Sequence, residues 1–180
     1  MIKLSKALQK WGLLKYMCKR ANDDIFLRLY KTYILSILEF SNIDWSLNIS
    51  ETKRIESVQR RVTKFICNKL GKFEISYSER LKELNLLSLE IRRKVKMLTI
   101  VQKVKIEHEL IPTSWLYKFN FKETYRYGSK IDIKKMRINF CDKSFFNESE
   151  ILYNELSKEI RDIENINAFK NRIILFLNSR

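Results

Sequence analysis

Only three glycines, at positions 12, 71 and 128, and one proline, Pro112, interrupt the 180 residues. Glycine and proline supply most sharp reversals of a chain, at roughly 7% and 5% of an average sequence. With so few, the many hairpins of a β-sandwich or barrel cannot be built, and long helices are favoured. The apolar residues keep helical time. Leu4, Ala7, Leu8, Trp11, Leu14 and Cys18 recur at helix spacing over 3–20, with Lys6, Gln9 and Lys10 turned outward. Asn22-Asp23-Asp24 offers a cap and first-turn acids for a helix over about 24–39, whose inward face reads Phe26, Leu29, Tyr30, Tyr33 and Ile37.

Further along, Ser50 stands before a helix over about 51–67, with Ile55, Val58, Val62, Phe65 and Ile66 inward. Residues 68–75 form a loop around Gly71, and Ser76-Tyr77-Ser78-Glu79 spells a capping box for a short helix stopped at Asn85. Ser88 caps the longest candidate, about 89–108, which buries Ile91, Val95, Leu98 and Val101 and is ended by Pro112. From 113 to 143 the helical period is lost, and short strands such as 130–133 or 136–140 are expected within an irregular segment. Two helices close the chain, at about 145–160 and 167–178. The expectation is a mostly α fold: a helical bundle over 1–110, and over 111–180 a basic, aromatic segment with two helices.

Charge narrows function. Lysine and arginine number 36 against 21 aspartates and glutamates, a formal excess of +15. Such an excess cannot all be paired internally, so it projects a positive field that attracts polyanions, nucleic acid first. Cys18, Cys67 and Cys141 are far apart and His108 is the only histidine, so a zinc site has no plausible ligand set. They read as buried thiols of an intracellular protein. No apolar run reaches the ~18 residues of a membrane span, and no secretory signal is present at the N-terminus.

The chemistry-bearing residues are sparse. The Asp23-Asp24 doublet opens a helix, where aspartates serve as cap and dipole partners and not as metal ligands on a strand turn. Glu79, Glu83, Glu90, Glu107 and Glu109 sit beside basic residues and read as solvated pairs. No nucleophile–histidine pair and no glycine-rich phosphate loop is present. Neither a catalytic residue, a metal site nor a cofactor is expected of this chain.

Three blocks in order carry a resemblance. Leu29-Tyr30-Lys31 through Ile34-Leu35 and Leu38-Glu39-Phe40 to Asp44-Trp45 is followed by Arg54-Ile55-Glu56-Ser57-Val58-Gln59-Arg60-Arg61. The second runs Tyr77 to Leu86, then Ser88-Leu89-Glu90 and Arg92-Arg93. The third holds Ser144-Phe145-Phe146, Leu152-Tyr153-Asn154-Glu155-Leu156 and Phe169-Lys170. Together they resemble the thumb and downstream region of LINE-type, jockey-like non-LTR retrotransposon reverse transcriptases, which are RNA-directed DNA polymerases. Tyr153 stands where the family has tryptophan and Ser157 where it has proline, and Lys94-Val95-Lys96 replaces a Gly-Asp-Leu turn. The resemblance implies a fold built around a thumb-like bundle, and a palm, with its metal-binding aspartates, upstream of Met1.

A thumb holds duplex nucleic acid by its backbone, which needs cations in rows and no base-reading geometry. Two rows qualify, Lys53, Arg60, Arg61 and Lys64, and Arg92, Arg93, Lys96 and Lys103; the plainer reading of each is a solvated helix face. Tyr125-Arg126-Tyr127 could stack unpaired bases, although such aromatics more often fill a core. The expected partner is an RNA–DNA hybrid or duplex, and no membrane. The alternatives are a relic or host-captured helical interaction protein, and a polymerase part acting in trans with a separate palm.

Overall fold

A computed structural model describes residues 2–17, 22–40, 49–107, 111, 118–125, 128–133 and 145–179. The chain is mostly helical, with one small antiparallel sheet among the described residues. In order come α1 (Ile2–Met17), α2 (Asp23–Leu29), a π-helical stretch (Tyr30–Leu35), α3 (Ser36–Glu39), α4 (Ile49–Lys69), α5 (Tyr77–Glu83) and α6 (Leu89–Lys105). Then follow β1 (Phe121–Thr124), β2 (Gly128–Ile131), α7 (Phe145–Glu155), α8 (Lys158–Arg161) and α9 (Ile166–Asn178). The described residues of Met1–Asn42 and Leu47–Glu90 form one compact unit and those of Ile91–Arg180 the other. The division falls in the first turn of α6, earlier in the chain than residue 110.

Unit 1 is centred on an aromatic cluster. Trp11 meets Phe26 and Phe65 edge-on, at 5.7 and 5.4 Å between ring centroids, an arrangement that sets a positive ring edge against a negative face. Around it are buried Ala7, Tyr30, Ile34, Leu35, Leu38, Val58, Val62, Ile66 and Cys67. The helix expected over 24–39 is there, but its inward face differs. Tyr33 is half exposed, and Phe26, Tyr30, Ile34 and Leu38 are buried. A regular helix would bring 26, 30, 33 and 37 to one side. The widened turn over Tyr30–Leu35 accommodates one more residue, so the buried stripe steps by four. Along it and just beyond, the hydroxyls of Thr32 and Ser36 donate to the carbonyls of Arg28 and Thr32, at 2.9 and 2.5 Å.

Local signals end the helices of unit 1. After α4, Gly71 takes φ +75°, and the amides of Lys72 and Gly71 donate to the carbonyls of Cys67 and Asn68. Asn85 repeats this Schellman closure after α5 with φ +48°, as Leu86 donates to Leu81 and Asn85 to Lys82. The capping box is formed: Glu79 N–H donates to Ser76 Oγ, and Ser76 N–H to Glu79 Oε2 at 2.7 Å. Hydrogen bonds from the Ser76 side chain and the Ser76 amide hold the Glu79 carboxyl below its usual range. Asn22 stands at the head of α2 in extended backbone, but its side chain makes no capping hydrogen bond.

In unit 2 the segment without helical period contains a hairpin. β1 and β2 pair antiparallel with Phe121 opposite Ile131 and Thr124 opposite Gly128. β2 overlaps the strand expected at 130–133, and its partner lies at 121–124; residues 136–140 lie outside those described. Gly128 has φ +66°, a backbone state that favours glycine, and a Cβ there would fall 3.0 Å from Lys158 Cγ, so that side chain would have to shift. The free edge of β2 is completed by side chains. Ile131 N–H donates to Asn154 Oδ1 at 2.9 Å, Asn154 Nδ2 donates to Ile131 O at 2.7 Å, and Arg161 Nη1 donates to Ser129 O at 2.9 Å. Asn154 thus imitates a third strand for one residue and closes an edge that would otherwise invite another chain. Leu98, Val101, Val104, Phe119, Tyr153, Leu156, Ile160, Phe169, Ile173 and Leu177 fill the core beneath. α9 starts at Asn165, whose Oδ1 accepts from the amides of Asn167 and Ala168.

Candidate nucleic-acid interface

α4 has two faces. Val58, Val62 and Ile66, four residues apart, are buried with Gln59 and Thr63, while Lys53, Arg54, Arg60, Arg61 and Lys64 are exposed on the other side. With a rise of about 1.5 Å per residue, Lys53 to Lys64 covers roughly 16 Å of helix. The first sequence row is therefore one continuous cationic face of unit 1.

The second row is placed differently. α6 is buried around much of its girth, since consecutive Met97, Leu98 and Thr99 are all inside with Val101, Gln102 and Val104. Arg92, Arg93, Lys96 and Lys103 are consequently half-buried, and the expectation of an exposed strip is corrected. Arg93 is held by Glu148 fork to fork, Nη2 to Oε1 at 2.7 Å and Nη1 to Oε2 at 3.2 Å, with 11% of its side chain exposed. Neither Arg92 nor Lys96 is free of partners. Of the stacking candidates, Tyr125 projects fully from the hairpin turn, so it is not a core residue. Arg126 and Tyr127 lie outside the described residues, as do Cys18, His108 and Cys141.

The cationic face of α4 gains neighbours that helical spacing on α4 alone does not reveal. Arg60 lies over the ring of Tyr77, 4.5 Å from its centroid, and Arg80 lies 5.7 Å from the same ring. Lys15 of α1 sits 5.7 Å from the ring of Phe65, next in sequence to Lys64. Tyr77 and Arg80 are three apart on α5, which puts them on one helix side; that spacing was the available signal. Beneath them, the Tyr77 hydroxyl donates to Glu56, and Leu89 N–H donates to Glu56 Oε2 at 3.1 Å. Burial pushes the Glu56 carboxyl up, opposed by the Tyr77 and Leu89 hydrogen bonds and by Arg60. Burial and the carboxylate of Glu56 push the Tyr77 hydroxyl up too, so it stays a donor.

Set against family models, curated proteins and solved structures, the chain matches none. Among the described residues no group of three or more His, Cys, Asp or Glu side chains converges to hold a metal ion, and no helix is long and apolar enough to cross a membrane.

Proposed function

We propose that the chain is a nucleic-acid-binding fragment derived from a non-LTR retrotransposon reverse transcriptase, gripping the backbone of a duplex or an RNA–DNA hybrid without polymerising. The observation that supports it is the exposed row Lys53, Arg60, Arg61 and Lys64 on the side of α4 opposite its buried stripe. A duplex carries roughly one phosphate charge per 1.7 Å of axis, so a cationic face of this length meets several phosphates at once. Backbone contact of this kind carries no base specificity.

The test is binding of a labelled duplex titrated against salt. Each phosphate contact adds about 0.9 to the steepness of log affinity against log salt, so three or four contacts give a slope near −3. A slope near zero removes the proposal.

A second reading, a helical interaction protein, draws on exposed apolar side chains in unit 1. Ile25 and Tyr33 are each 52% exposed, and Phe40 68%. Capture of a protein partner in the presence of excess competitor nucleic acid, by a chain whose own duplex affinity ignores salt, favours that reading.

A further inference from the structure

We propose that Arg60 and Arg80, gathered at the ring of Tyr77, form the principal phosphodiester-gripping point of unit 1, with Tyr77 as the residue that positions both. The inference rests on the backbone-binding reading above and names where on that face the strongest contact is made. It adds Arg80 and Tyr77, which do not belong to the row on α4.

Several observations converge. The two guanidiniums lie 4.5 and 5.7 Å from one ring centroid, so they are no more than roughly 10 Å apart, a distance that one phosphodiester or two successive ones can bridge. The ring itself is fixed. Tyr77 opens α5, whose entry is set by the Ser76–Glu79 capping box, and its hydroxyl donates to Glu56, one helical turn before Arg60 on α4. Arg80 is anchored as well, its Nη1 donating to Ile75 O at 2.9 Å. An arginine already stacked and anchored loses less rotamer freedom when it captures a phosphate than a free lysine such as Lys53 does.

Acid does not quench the pair. Among the described residues neither guanidinium forms an ion pair, whereas nearby Lys72 is taken by Glu83 at 2.5 Å. The carboxyl of Glu56, which feels the Arg60 charge, has its oxygens turned to the Tyr77 hydroxyl and the Leu89 amide. Two like charges held near one aromatic ring repel each other, and an anion that reaches both relieves that repulsion. Planar guanidiniums match the oxygens of a phosphate in pairs of hydrogen bonds, which an ammonium does not.

The experiment uses the full chain and a short fluorescein-labelled DNA duplex, followed by anisotropy from about 50 to 200 mM salt, the range over which counterion release is large. Arg60→Ala and Arg80→Ala each flatten the log–log slope by about 0.9, and each weakens binding more than Lys53→Ala does. Arg60→Lys retains the charge but not the stacked fork and weakens binding by about fivefold. Tyr77→Leu, which leaves every cation in place, weakens it at least as much. Tyr77→Phe keeps the ring but loses its anchor on Glu56, and weakens binding less than Tyr77→Leu does. Should Tyr77→Leu fail to fold, Arg60→Lys and Arg80→Lys decide alone: wild-type affinity in both overturns the inference. A wild-type chain with no salt dependence overturns the backbone-binding reading as well, while steep wild-type binding that no variant alters overturns only this inference.

Discussion

The two units solve the same problem in the same way and then diverge. Each has a fully buried glutamine on a long helix, and each glutamine takes a hydrogen bond from a buried tyrosine and gives one to a backbone carbonyl. In unit 1, Tyr30 Oη–H donates to Gln59 Oε1 at 2.8 Å and Gln59 Nε2 donates to Leu87 O at 2.9 Å. In unit 2, Tyr153 donates to Gln102 Oε1 at 3.1 Å, and Gln102 Nε2 donates to Ile163 O at 2.7 Å and Arg161 O at 3.2 Å. A glutamine suits this position because one amide supplies both an acceptor and donors. The arginines differ. Unit 1 turns Arg60 and Arg61 outward, and unit 2 turns Arg93 to Glu148 and Arg161 to the sheet edge. Cationic residues in a basic chain are therefore not one population: some hold the fold, and others face solvent, where a polyanion can meet them.

The sharpest way to break that parallel is to remove the glutamines. Gln102→Leu strands the buried Tyr153 hydroxyl, removes the bonds to the Ile163 and Arg161 carbonyls as well, and costs about 2–4 kcal/mol of stability. Gln59→Leu costs less, about 1–3 kcal/mol, because it removes two hydrogen bonds where Gln102→Leu removes three. Denaturant unfolding measures both. A loss below about 0.5 kcal/mol in either would mean that apolar packing alone holds that unit.

What the sequence makes legible here is whatever neighbours decide. The capping box at Ser76, the stop at Asn85 and the two faces of α4 each depend on residues within a few positions, and each is found as the pattern predicts. Burial of Gln59, Gln102 and Arg161 is not local. Their partners lie 28 or more residues away, and isolated polar letters inside a helix read as surface until those partners are known. The extra residue in the Tyr30–Leu35 turn escapes for another reason. Period counting assumes an unbroken helix, so one wide turn brings Ile34 and Leu38 inside and leaves Tyr33 half exposed. The candidate interface divides along the same line. The exposure of Lys53, Arg60, Arg61 and Lys64 follows from spacing on one helix, while the capture of Arg93 by a glutamate 55 residues on does not.

Next in size comes a contrast between arginines. Arg93→Met leaves Glu148 without its fork and lowers stability by about 1–2 kcal/mol, less than a fully buried pair because Glu148 keeps some water. It leaves the salt slope of duplex binding unchanged. Arg61→Met does the reverse, with stability within about 0.5 kcal/mol of wild type and a slope flattened by about 0.9. If Arg93→Met flattened the slope and Arg61→Met did not, the division between fold-holding and solvent-facing arginines would be misdrawn.

The smallest effect sharpens the comparison most finely, because the acid bound to the tyrosine of unit 1 changes charge between acid and neutral pH, and the buried tyrosine of unit 2 does not. Tyr153 in unit 2 is pushed upward by burial and stays neutral throughout that range. Glu56 in unit 1 is pushed above the ordinary carboxylate value of 4.5, chiefly by burial. A carboxyl raised in the folded chain binds a proton more tightly there than in the unfolded chain. Its contribution is greatest in acid and declines as pH rises from about 4.5 through the raised folded value, the stability slope being negative wherever the folded state holds more protons. Glu56→Gln abolishes that decline while an amide oxygen remains to accept from Leu89 or Tyr77. Wild type should therefore lose more stability than the variant between about pH 4.5 and 7, followed by denaturant unfolding at each pH. Parallel curves would place the carboxylate in water and make the hold of Glu56 on Tyr77, and through it the seating of Arg60, a feature of the surface instead of the interior.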